Sequence, residues 1–222
     1  IPVSFGRSNF PVRFAGAGVE TPAGLFLAAS VHLKAAGGLG KEEDGRRLTE
    51  AAVVNEVLRG MRAGMQPVAT VVAGDFNMLG TPDVARLLTQ GLDNDRSGLC
   101  FAEPTHLGDP SLVYTHGSGS PYKSRLDYLG WSESCASLRE AFVLDTAIMS
   151  AGALRKAKLK AEDSTASDHL PIIVDLLPLA GGGGGQPLWR CASAGQQDAG
   201  WQQAEECGRQ VRRPQLQSFS RS

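Results

Sequence analysis

The sequence predicts an α/β layered domain, on three observations. Short apolar, β-branched runs alternate with amphipathic stretches through residues 1–179, the pattern of strands interleaved with helices. The composition, 42% hydrophobic and 20% charged, is that of a folded globular chain. A run of glycines, Gly181 to Gly185, then breaks the pattern. Consecutive glycines lose too much backbone entropy to hold a regular element, so the run reads as a linker. Beyond it, a Gln-, Ala- and Arg-rich stretch with isolated Trp189 and Trp201 has no hydrophobic period. Residues 180–222 are therefore expected to be a disordered linker and tail, and 1–179 the domain.

Gly24 to Leu33 is an apolar run suited to a buried strand ending at His32. Glu42 to Gly64 carries Leu48, Ala51, Ala52, Val54, Val57, Leu58 and Met61 near the helical period, with Gly64 placed to end it. Val68 to Ala73 is a β-branched strand. Thr81 and Pro82 suit the cap and first position of a helix reaching about Gln90. Further strands are expected at Leu112–His116, Ser124–Trp131, Leu138–Leu144 and Pro171–Leu177. The last is nearly all apolar, as a strand buried on both faces would be.

Sheets of this kind place chemistry on loops just past strand ends, and four polar clusters fall there. Gly74-Asp75-Phe76-Asn77 follows the 68–73 strand directly. A carboxylate beside a carboxamide suits a metal-bound water or a phosphate oxygen, and equally an Asx-turn closing the strand. Ser167-Asp168-His169 precedes the last strand and offers a metal ligand and a general base, or a turn followed by a structural histidine. Asp127, in Ser124-Arg125-Leu126-Asp127-Tyr128, is a half-buried carboxylate that needs a partner. A histidine that it orients would serve, and so would Arg125 or Lys123. His32 ends its strand, where a lone histidine is commonly structural.

Taken in order, strand–His32, strand–GDFN, strand–RLDY and SDH–strand resemble the endonuclease/exonuclease/phosphatase superfamily, the deoxyribonuclease I-like enzymes. The resemblance covers roughly residues 1–178 and implies a layered β-sandwich flanked by helices, incomplete at its N-terminus. It also implies roles. Asp75 would contact the attacking water or the metal, and Asn77 and His32 would contact the phosphate. Asp168 would be a metal ligand, directly or through water, and Asp127 would orient His169, a general base or a phosphate contact. Whether Asp75 or His169 takes the proton of the water is left open by the resemblance. The pattern departs from the family in two places. Ser30 and Val31 precede His32 where the family has an Asn or similar residue. Nothing in residues 1–31 matches its early Asn and metal-binding Glu, since Glu20 lies in a stretch that reads as a hairpin turn. The N-terminal third of the domain is thus expected to be absent from this chain.

The implied activity is a Mg²⁺- or Mn²⁺-dependent hydrolase of phosphate esters. Oxygen ligands suit such ions, which use one or two carboxylates plus substrate phosphate. The substrate class stays open among nucleic acid, nucleotide, phosphoinositide and phospholipid headgroup. A net charge of −1 disfavours long duplex DNA. Arg155, Lys156, Lys158 and Lys160 form one basic stretch, a solvated face or a guide for an anionic substrate. The alternative is a non-catalytic binding protein on the same scaffold. A zinc hydrolase built on His32, His106, His116 and His169 is disfavoured, because no local zinc spacing is present. Cys100, Cys135, Cys191 and Cys207 are widely spaced, suggesting neither zinc nor a disulfide framework and favouring a reduced, intracellular setting. No apolar run approaches the ~18 residues of a membrane span, and no obligate protein partner is evident.

Overall fold

The computed structural model describes residues 2–6, 8–117 and 121–179. The linker and tail expected at 180–222 lie outside the described residues. In chain order the elements are β1 (Pro2–Phe5), β2 (Ser8–Pro11), β3 (Arg13–Thr21), β4 (Gly24–His32), α1 (Glu42–Met65), β5 (Ala69–Asp75) and α2 (Asp83–Thr89). They continue with β6 (Cys100–Phe101), β7 (Thr105–His106), β8 (Asp127–Trp131), β9 (Ala136–Val143), α3 (Ala151–Ala157) and β10 (Ile172–Pro178). One sheet has the order β3-β4-β5-β8-β6 and the other β10-β9-β7, while β1 and β2 pair as a separate hairpin.

The expected layering is observed. The centre of the five-stranded sheet is buried on both faces because β4, β5 and β8 carry two apolar sets, while β3 at its edge is largely exposed. Leu27, Val31 and Val72 pack against Val54 and Leu58 of α1 and Val84 and Leu88 of α2. Val71, Leu129 and Trp131 pack on the second sheet through Leu138, Val174 and Leu176. Helices, sheet and sheet thus form three layers with two apolar seams.

Several local expectations need correction. The α1 helix runs through Gly64 and stops at Gln66, which takes the left-handed cap conformation (φ 51°). Leu112–His116 forms no strand; only His116 makes isolated bridges, to Ser124 and His169. β10 is an edge strand rather than one buried on both faces: Val174 and Leu176 pack inward, while Asp175 and Leu177 are exposed. The Pro22–Ala23 turn does join β3 to β4 as a hairpin, with Glu20 opposite Leu25. Cys100 and Cys135, both buried, are disulfide-bonded, against the reduced setting expected from their spacing.

Candidate active site

Strand register assembles the site. β4 runs parallel to β5 with His32 opposite Asp75, and β5 runs antiparallel to β8 with Asp75 opposite Asp127. Directly opposed residues share a sheet face, so the three side chains form a row across three strands. The close approach of β4 and β5 depends on Gly74. Its φ of 137° suits glycine, and a Cβ there would collide with the Val31 carbonyl oxygen.

The GDFN segment forms the Asx-turn that its sequence offered. The Asn77 backbone N–H donates to Asp75 Oδ1 at 2.9 Å, an Asx-turn, and Asn77 sits at φ 49°, a conformation asparagine tolerates. The other carboxylate oxygen, Oδ2, lies 3.4 Å from His32 Nε2 and 3.9 Å from His169 Nε2. Both Asn77 amide hydrogens are engaged, one by Asp75 Oδ2 at 2.9 Å and one by the Leu33 carbonyl at 3.1 Å. Asn77 is buried, so in this arrangement its amide holds Asp75 rather than facing the open cleft.

The partner of Asp127 is His169, whose Nδ1 donates to Oδ2 at 2.8 Å. The rival cations are occupied elsewhere. Arg125 donates to the Ala102 carbonyl and stacks on Tyr128, and the Lys123 ammonium lies over the Tyr114 ring. Thr115, which the sequence did not single out, completes the arrangement. Its hydroxyl donates to Asp127 Oδ2 at 2.7 Å and accepts the Leu126 and Asp127 backbone N–H groups at 3.0 Å each. Thr115 gave no signal because 112–116 reads as a plain strand. His169 reaches the row through a short antiparallel pairing: Leu170 N–H donates to the Thr115 carbonyl, and Gly117 N–H to that of Asp168.

That pairing also brings in His116. Its Nε2 lies 3.4 Å from Asp168 Oδ2, and its ring centroid lies 4.8 Å from that of His169. His106 is elsewhere, buried with Nε2 against the Tyr114 carbonyl. The basic stretch is exposed along α3 and the loop after it, with no buried residue in the helix. A cavity of about 250 Å³ between β5, β8 and the start of β10 adjoins the site, but Asp127 alone of these polar groups lines it.

Electrostatics separate the groups. Burial raises the Asp75 carboxyl above its ordinary range, and the Asp127 charge adds to this against the Asn77 N–H, His32 and His169. For His169, burial disfavours the charged ring. The Asp127 hydrogen bond and charge, with Asp75 and Asp168 beyond, outweigh burial and raise its pKa. The Asp168 side chain is 77% exposed, open to a hydrated hard cation of the kind that takes one or two carboxylates plus phosphate. Among the described residues, the one compact group of three ligating side chains is His116, Asp168 and His169. Asp75 is not in it, so the two carboxylates expected to share an ion do not form a single ligand cluster.

No protein-family model matches the chain, and no curated protein does. Solved structures do. The endonuclease/exonuclease/phosphatase from Bacteroides vulgatus aligns at 15% identity and TM-score 0.46, over 75% of this chain and 54% of that one. The human Nocturnin catalytic domain with bound sulfate aligns at 21% and 0.45, over 75% and 61%. Beta toxin from Staphylococcus aureus with bound magnesium ions aligns at 14% and 0.40, over 60% and 46%. The chain spans about half the length of such structures.

Proposed function

We propose that this chain carries the catalytic face of a phosphate-ester hydrolase of the endonuclease/exonuclease/phosphatase class. The carrying observation is the Asp127–His169 pair at 2.8 Å, with His169 Nε2 directed to Asp75 Oδ2 at 3.9 Å. With Nδ1 held as the donor, neutral His169 presents a basic Nε2 to the cleft. A water bridging Nε2 and Asp75 gives its proton to Nε2 as its oxygen attacks phosphorus; the bond from phosphorus to the leaving oxygen breaks, and the leaving oxygen takes a proton from solvent as the alcohol departs. His32, 44% exposed at the end of the row, donates to a phosphoryl oxygen. Asn77 fixes the Asp75 carboxylate. Asp168 would hold Mg²⁺ or Mn²⁺, directly or through water, and the bound ion would supply positive charge to the phosphoryl oxygens.

The test is hydrolysis of a bis-aryl phosphodiester with Mg²⁺, with and without excess chelator. Activity is expected to vanish with chelator. Asp75→Ala and His169→Ala are each expected to lower the rate about 10²-fold or more. Full turnover in chelator would refute metal dependence. Turnover surviving His169→Ala would refute the role of that imidazole.

A further inference from the structure

His116 is unused by this chemistry, yet the fold holds it beside two groups that the chemistry needs. It bridges His169 in antiparallel register, and Gly117 N–H donates to the Asp168 carbonyl at 2.9 Å. The backbone therefore fixes the origins of all three side chains before any ligand arrives. Their ligating atoms lie within 4.8 Å of one another, and His116 Nε2 and Asp168 Oδ2 are 3.4 Å apart. Two ligands at tetrahedral zinc, with bonds of about 2.0–2.1 Å, stand roughly 3.4 Å from each other. The Asp168 side chain is 77% exposed, so it can adjust toward an ion without disturbing buried packing.

We propose that His116, Asp168 and His169 form a binding site for a borderline transition-metal ion of the zinc class. The donors, two imidazoles and one carboxylate, suit zinc or cobalt(II) and are poor for magnesium, which requires oxygen. Asp127 supplies the outer support such sites use. By accepting from His169 Nδ1 it leaves the Nε2 lone pair as the ligand and fixes the ring. Three protein ligands leave the fourth position to water or to an anion. No local sequence spacing announces this site, because its members come from two loops that meet only through the 115–117 and 168–170 pairing.

The consequence for activity rests on the function proposed above: a lone pair bound to zinc cannot accept a proton, so zinc occupies the base and inhibits. Binding and inhibition are tested separately. The 222-residue chain is titrated with Co²⁺, read by visible d–d absorption, and with Zn²⁺ against a chromogenic chelator. One ion per chain is expected. His116→Ala and the solvent-exposed Asp168→Asn are each expected to weaken binding at least about tenfold, the scale on which even outer-shell losses act. His32→Ala is expected to leave it unchanged. Tight binding that survives both His116→Ala and Asp168→Asn overturns the site, as does a wild-type chain that binds no Co²⁺ or Zn²⁺. In the Mg²⁺-supported assay, Zn²⁺ is expected to inhibit wild type more strongly than His116→Ala, each relative to its own uninhibited rate. A chain with no hydrolytic activity refutes the proposed function, while the titrations still decide the metal site.

Discussion

Among single residues, His169 carries the most because burial and neighbouring carboxylates oppose each other on one ring. Burial favours the neutral form, and the Asp127 carboxylate wins against it. The sign for stability follows from the raised value. Folded His169 holds its proton more tightly than in the unfolded chain, so its contribution is complete below the unfolded pKa of about 6.5. That contribution is lost as pH rises through the folded value. Asp127→Asn removes the largest raising effects and leaves burial opposed only by the Asp75 and Asp168 charges. The His169 pKa, followed by NMR titration of the ring protons, is therefore expected to fall below its wild-type value. The acidic limb of the pH–rate profile should move to lower pH with it. A titration unmoved by the substitution would mean that Asp127 only packs against the ring. At this scale the sequence was informative about type and poor about partner. It named Asp127 as needing a cation but left His169, Arg125 and Lys123 open. Arg125 and Lys123 are removed by contacts to Ala102 and Tyr114 that no local pattern encodes.

Among elements, α1 shows where a hydrophobic stripe stops being the whole account. Its middle buries Ala51, Val54 and Leu58 as the helical period requires, but the same face continues toward the N-terminus into Asp44, Arg47 and Glu50, also buried. These three polar residues grip the loop after His32. Arg47 donates to the carbonyls of Lys34, Ala36 and Gly37 and to Asp44, and Glu50 accepts the Lys34 backbone N–H at 2.7 Å. Asp44 in turn accepts from the backbone N–H groups of Gly40 and Thr81. The helix thereby ties both loops beside the cleft, one after β4 and one before α2. Arg47→Met is expected to cost about 3–5 kcal/mol in urea unfolding, since it strands a buried carboxylate and three carbonyls. A loss under ~1 kcal/mol would show that water replaces the guanidinium. Nothing in the sequence singles these residues out. Charge signals a solvated face unless the partner loop is already known to cover it.

Across the whole molecule, β4, β5, α1, α2, β8, β9 and β10 were legible because each carries an apolar period or run. The β1–β2 hairpin, β3 and the two-residue strands β6 and β7 were not. Short or weakly alternating strands exist through their neighbours rather than through their own composition. β10 misled for a related reason: its outward Leu177 makes an edge strand look like a buried one. The site was legible as four separate fragments, and the sequence could not supply the register that aligns them.

That register has a consequence in time. The row of His32, Asp75 and Asp127 exists only after β4 has found β5 and β5 has found β8, strands separated by long stretches of chain. Such non-local closures are slow, whereas a helix like α1 needs only its own neighbours. A one-residue slip of β8 would turn Asp127 to the opposite face, so a nearly correct chain has no partial site. During refolding from urea, the native His169 ring resonance is expected to appear together with or after hydrogen-exchange protection of the β4, β5 and β8 amides. A native His169 signal ahead of that protection would show that the cleft forms without the ladder. If the order holds, each newly made molecule passes through an interval in which it is compact and helical yet chemically silent, and the closing of β8 onto β5 ends that interval.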